Sequence, residues 1–109
     1  MPSRRQRKVA EAIAHMAADF VTREASPRSL ITVTHAEITS DLKNVTIFVS
    51  ILPKEEEPTA IAFLKRQRTE LHDYLKEKTV LRNVPTVDFE IDIGEENRQR
   101  VEELTRPNK

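Results

Sequence analysis

From Ser3 to Glu24 the apolar positions Val9, Ile13, Met16, Ala17, Phe20 and Val21 fall at spacings of four, three, one, three and one. That single stripe predicts an amphipathic helix. Ser3 can accept from a free N–H of the first turn, and Ser26-Pro27 ends the pattern because proline disfavours α geometry in the residue before it. Leu30 to Thr39 is rich in β-branched residues and predicts a strand. Its apolar phase changes from Ile31 and Val33 to Ala36 and Ile38, so an extra residue, a bulge, is expected near His35.

The turn formers of Ser40-Asp41-Leu42-Lys43-Asn44 lead into Val45, Ile47, Val49 and Ile51, which alternate with Thr46, Phe48 and Ser50. Two strands with a short polar link make a hairpin. After a charged loop from Pro53 to Pro58, Thr59 is expected to cap a second helix, with Ala60, Ile61, Phe63 and Leu64 inward at its start and Leu71, Tyr74 and Leu75 inward near its end. Between them Lys65-Arg66-Gln67-Arg68-Thr69-Glu70 has no apolar residue. A straight packed helix rarely tolerates such a gap, so a bend is expected.

Pro85 to Ile93 gives the clearest alternation: Val87, Phe89, Ile91 and Ile93 against Asp88, Glu90 and Asp92. One face is buried and the other is acidic. Gly94 stops this strand, and Val101 and Leu104 give residues 95–105 a helical character, with 106–109 as a frayed tail. The order α-β-β-α(kinked)-β with a short C-terminal helix predicts one α+β domain over residues 1–105, a three-stranded mixed sheet backed by helices.

Composition adds limits. A chain of 109 residues without cysteine folds without disulfides or thiolate zinc sites, and a reducing cytoplasm suits it. Residues 1–8 are polar and basic, unlike a secretory leader, and no apolar run approaches the ~20 residues that span a bilayer. Lys plus Arg and Asp plus Glu are equal at 18 each, yet they are segregated. Arg4, Arg5, Arg7 and Lys8 form one basic stretch, and Lys65, Arg66, Arg68, Lys76, Lys78 and Arg82 dominate another. Acids gather at Glu55 to Glu57 and from Asp88 to Glu103. Such a dipolar surface suits phosphate contact on one side.

Catalytic signatures are missing. One glycine cannot build a glycine-rich phosphate loop or a dinucleotide fingerprint. His15, His35 and His72 lie in different elements without a partner at metal-binding spacing, so neither metal nor cofactor is expected. His15 and His72 read as helix-surface residues, and Phe48 and Tyr74 as core residues with no role as stacking platforms. Glu37 and Asp41 could in principle do acid–base work, but Asp41 suits turn capping better.

The hairpin, Ser29 through Ser50, resembles the ribosome-binding factor A family in its strand, its Ser-x-Asp-Leu-like turn and its second strand. Arg4-Arg5-Gln6-Arg7-Lys8-Val9-Ala10 resembles the basic opening of that family's first helix. Leu81-Arg82-Asn83-Val84-Pro85-Thr86-Val87-Asp88-Phe89 resembles its entry into the last strand, and Arg98 to Leu104 its short C-terminal helix. The resemblance spans nearly the whole chain. It implies a type II KH-like fold, no enzymatic activity, and a factor that binds the small ribosomal subunit and assists late maturation of its ribosomal RNA, including the 5′ end, with a link to growth in the cold. An assembly GTPase is a further candidate partner.

In that family an Ala-x-Gly kink stands where KH domains carry a Gly-x-x-Gly clamp. It corresponds to Gln67-Arg68-Thr69, where neither alanine nor glycine is present. The expected RNA-binding residues are Arg4, Arg5, Arg7, Lys8, Lys65, Arg66, Arg68 and Arg82, acting through phosphate and shape rather than base sequence. A monomer is expected. The rival reading is a protein-interaction or regulatory module that pairs through an exposed sheet edge.

Overall fold

The computed structural model describes residues 2–24, 29–79 and 83–94. Helix α1 spans Arg4–Glu24, strand β1 Leu30–Ile38, strand β2 Asn44–Leu52, helix α2 Glu57–Arg66, helix α3 Arg68–Lys78 and strand β3 Thr86–Ile91. The expected helical stop at Ser26-Pro27, the expected C-terminal helix and the tail lie outside the described residues.

Strands β1 and β2 pair antiparallel and β2 and β3 pair parallel, giving a mixed sheet of order β1-β2-β3. Parallel pairing needs a long connection, and α2 and α3 supply it. The register of β1 against β2 shifts between Val33 and His35, where Thr34 is the extra residue. The bulge thus falls where the change of apolar phase put it.

One sheet face carries the core. Val45, Ile47, Val49 and Ile51 of β2 and Val87 and Phe89 of β3 are buried against Ile13, Ala17, Phe20 and Val21 of α1, Leu64 of α2 and Leu71 and Leu75 of α3. Each fully buried Leu, Ile, Val or Phe contributes roughly 1.5–3 kcal/mol relative to exposure. Beside the core Tyr74 is half-buried, its ring centroid 5.6 Å from that of Phe20.

Three local expectations need correction. Ile93, expected on the buried face of the last strand, lies beyond β3, which ends at Ile91, and is exposed. Thr59 does not cap the second helix: a 3-10 turn over Lys54–Glu56 leads directly into α2 at Glu57, ahead of Thr59. Pro58 explains the early start, because its fixed φ and missing N–H suit the first helical turn. Phe48 is not in the core either. It lies half-exposed on the open sheet face, where its ring stacks on His35 with centroids 4.6 Å apart and planes 5° from parallel. The phase of β2 dictates this, since the core takes the alternate residues Ile47 and Val49.

The hairpin link is held by side chains. Asp41 accepts from the Thr39 hydroxyl at 2.5 Å and from the Lys43 amide at 3.0 Å, while Leu42 takes φ 61°. These bonds, with the Thr39 hydroxyl first, hold the Asp41 carboxyl below its ordinary value. Asp41 is therefore a turn-capping residue and a weakened base.

Candidate nucleic-acid interface

The helix break forms without glycine. Gln67 adopts φ −91° and ψ 6°, a bridge conformation open to any L-residue. Its amide donates to the carbonyls of Leu64 at 2.9 Å and Phe63 at 3.2 Å, closing α2, and its carbonyl accepts from Leu71 at 2.9 Å, opening α3. The break thus falls at Gln67, inside the polar run Lys65 to Glu70 where a bend is expected.

Side chains brace the break. Arg68 donates from Nε to the Lys65 carbonyl at 2.8 Å, satisfying an acceptor at the α2 terminus. Arg68 Nη1 also lies 3.3 Å from Asp88 Oδ1, and Lys65 Nζ lies 2.9 Å from the same oxygen. Burial alone would raise the Asp88 carboxyl. Hydrogen bonds from Lys65 and the Phe89 amide, with the charges of Lys65 and Arg68, outweigh it and hold the group below its ordinary value. Two of the expected RNA contacts are therefore already engaged by the last strand.

Arg66 is exposed and makes no ion pair with a described residue. Arg4, Arg5, Arg7 and Lys8 behave alike at the start of α1. Arg82 lies outside the described residues. The α1 start is well formed: Ser3 Oγ accepts from the Gln6 amide at 3.1 Å and Gln6 Oε1 accepts from the Ser3 amide at 2.9 Å, a capping box. The first turn holds no acid, although the helix dipole disfavours cations there by about 0.3–1 kcal/mol each. Basic residues placed against local stability, beside free N–H groups, suit an anionic partner.

The two basic stretches reach the same end of the sheet. Gln6 Nε2 donates to the Ile38 carbonyl at 3.2 Å, Ile38 pairs with Val45, Val45 pairs with Val87, and Asp88 follows. Two strand spacings, roughly 10 Å, separate β1 from Asp88 on β3.

Other candidates have structural partners. His35 Nε2 lies 3.0 Å from Glu37, and its Nδ1 lies 3.3 Å from Asp92. His15 is exposed and His72 half-buried, both on helix surfaces. The Tyr74 hydroxyl accepts from Arg23 at 2.7 Å, and the Arg23 guanidinium sits 5.0 Å from the ring centroid. Among the described residues no group of three His, Cys, Asp or Glu is placed to hold a metal, and no helix is long and apolar enough to cross a membrane. Sequence reasoning missed Asp88 as the ionic partner of the kink; its place on the polar face of β3 was legible, its reach to α2 was not.

An α+β KH-like module with a broken helix and two basic stretches is thus the class that fold and site define. The sequence profile of ribosome-binding factor A matches residues 5–105, and the chain belongs to that family. It is 32% identical over 105 residues to ribosome-binding factor A of Gemmatimonas aurantiaca, covering 93% of this chain and 72% of the relative. The crystal structure of ribosome-binding factor A from Thermus thermophilus superposes with a TM-score of 0.69 at 21% identity, over 79% of this chain and 94% of that one. Coordinates of the Thermus thermophilus factor fitted into a map of a 30S complex superpose at 0.65, with 22% identity over 73% and 87% of the two chains.

Proposed function

We propose that this protein binds the small ribosomal subunit as a cytoplasmic, monomeric, non-enzymatic assembly factor and assists late maturation of its ribosomal RNA, including the 5′ end. Arg4, Arg5, Arg7 and Lys8 on α1 and Lys65, Arg66 and Arg68 at the helix break, with Arg82, contact RNA phosphates. The carrying observation is the break at Gln67 beside the exposed Arg66; the family resemblance puts the counterpart of the KH clamp at this position.

Family membership and the 30S complex described for the Thermus thermophilus factor support this reading. Folded RNA is read here by shape and charge, because an RNA duplex hides its major-groove edges. Phe48 has its ring taken up by His35 and Tyr74 by Phe20 and Arg23. A role in growth in the cold and an assembly GTPase as a further partner belong to the same proposal.

Sedimentation of a lysate through sucrose tests it. The protein is expected to travel with free small subunits and to leave them at high salt, and replacing Arg66 and Arg68 by Glu is expected to weaken that association. Migration away from small subunits at low salt would overturn the proposal, and unchanged binding of the double variant would remove the kink from the interface.

A further inference from the structure

We infer that the groove between α1 and the outer edge of β1 binds an extended protein segment, which joins the sheet as a fourth strand. This site is separate from the RNA-binding reading except where Arg7 borders both. The groove encloses about 850 Å³ and is walled by α1 and by consecutive residues of β1. Among the described residues β1 ends the sheet, and there its outward backbone groups have no strand partner.

Those groups can be assigned. Gln6 Nε2 donates to the Ile38 carbonyl, which therefore points outward; alternation along an antiparallel ladder turns Ala36 outward as well, since the bulge lies before it. A primary amide already holds one edge carbonyl in the manner of a peptide N–H. The facing wall has room for a strand because α1 presents Ala10, Ala14 and Ala18 there.

The charges at the groove select the occupant. Arg7 lies at the Ile38 end and Glu11 one helical turn further, while the Glu37 side chain turns to the open sheet face with His35. A cation and a carboxylate one turn apart on α1 suit a segment carrying both signs better than a polyanion. Four helical residues advance about 6 Å and two strand residues about 6.7 Å, so alternate side chains of an added strand keep step with α1. Running antiparallel to β1, the segment reads acid-x-base-x-apolar: the acid meets Arg7, the base meets Glu11, and the apolar side chain covers Ala14 and Ala18. Backbone pairing supplies affinity and these alternate side chains supply selectivity.

Amide NMR of the intact protein, titrated with an acetylated and amidated peptide containing Asp-Thr-Lys-Thr-Leu, tests this. The Ala36 and Ile38 amides are expected to shift and to gain protection from exchange. Exchanging Asp and Lys in the peptide should weaken binding at least tenfold, and the double charge swap Arg7→Glu with Glu11→Lys should restore preference for the exchanged peptide. Ala14→Phe should fill the groove and abolish binding; if that variant fails to fold, the charge swap alone decides. Unmoved Ala36 and Ile38 amides at saturating peptide, or equal affinity for both peptides, would overturn the inference. So would an RNA oligonucleotide shifting these amides in preference to the peptide, concentration-dependent pairing of two copies through β1, or exchange protection in the free protein that Leu104→Asp removes.

Discussion

Arg68 donates through Nε to the carbonyl of Lys65 at 2.8 Å, so the first residue of one helix closes the end of the helix before it. The same guanidinium reaches Asp88 on the neighbouring strand at 3.3 Å. One side chain thus spans three elements around the break.

Arg68→Ala should therefore lower stability by about 1 kcal/mol, the usual net worth of such a bond with a partly exposed ion pair. Arg68→Lys should recover little of it, because an ammonium lacks the planar fork that serves both acceptors. Urea unfolding of the three proteins checks the order.

Asp88→Asn should loosen the hold on Lys65 and Arg68 and strengthen RNA binding at low salt, at a cost in stability of at most about 1 kcal/mol because both sides of the pairing are near half exposed. Each added phosphate contact on a duplex steepens the logarithmic salt dependence by about 0.9. Filter binding across a salt series should show the variant tighter and steeper than the parent.

Acid should weaken the same contact. The Asp88 carboxyl lies below its ordinary value in the folded protein, so its contribution is complete above the unfolded value of about 3.9 and disappears as pH falls through the folded one. Stability should change little on this account from pH 7 to about 5, then drop towards lower pH. Asp88→Asn should drop less over that acidic range in urea unfolding.

Ser3→Ala should cost about 1 kcal/mol, because it removes one half of the capping box that starts α1. Gln6→Ala should cost a similar amount and also release the Ile38 carbonyl. Thermal unfolding gives the cost, and backbone carbonyl shifts report the change at Ile38.

Alternation and phase made much of this fold legible before any coordinates. Val87 and Phe89 against Asp88 and Glu90 placed the last strand, and the slip from Val33 to Ala36 placed the bulge. The polar run after Leu64 placed the helix break, because an element cannot stay packed without apolar side chains to bury. Phe48 misled, since hydrophobicity says that a residue seeks cover without saying from which face; His35 supplied the cover. Thr59 misled because Pro58 is an equally good opening signal one residue earlier. Of the candidate site, the basic stretches were legible and their internal neutralisation was not. Lys65 and Asp88 are 23 positions apart, and only the folded sheet brings them within 2.9 Å.

Glycine would permit a bend without fixing it, because it adopts many backbone conformations at similar cost. The bend at Gln67 is instead partly secured by ionised side chains that recognise one another, so it is adjustable. Any polyanion that draws Lys65 or Arg68 outward slackens the joint between α2 and α3, and by reciprocity a slackened joint offers those cations more readily. Local shape and occupancy at this spot are two readings of a single equilibrium.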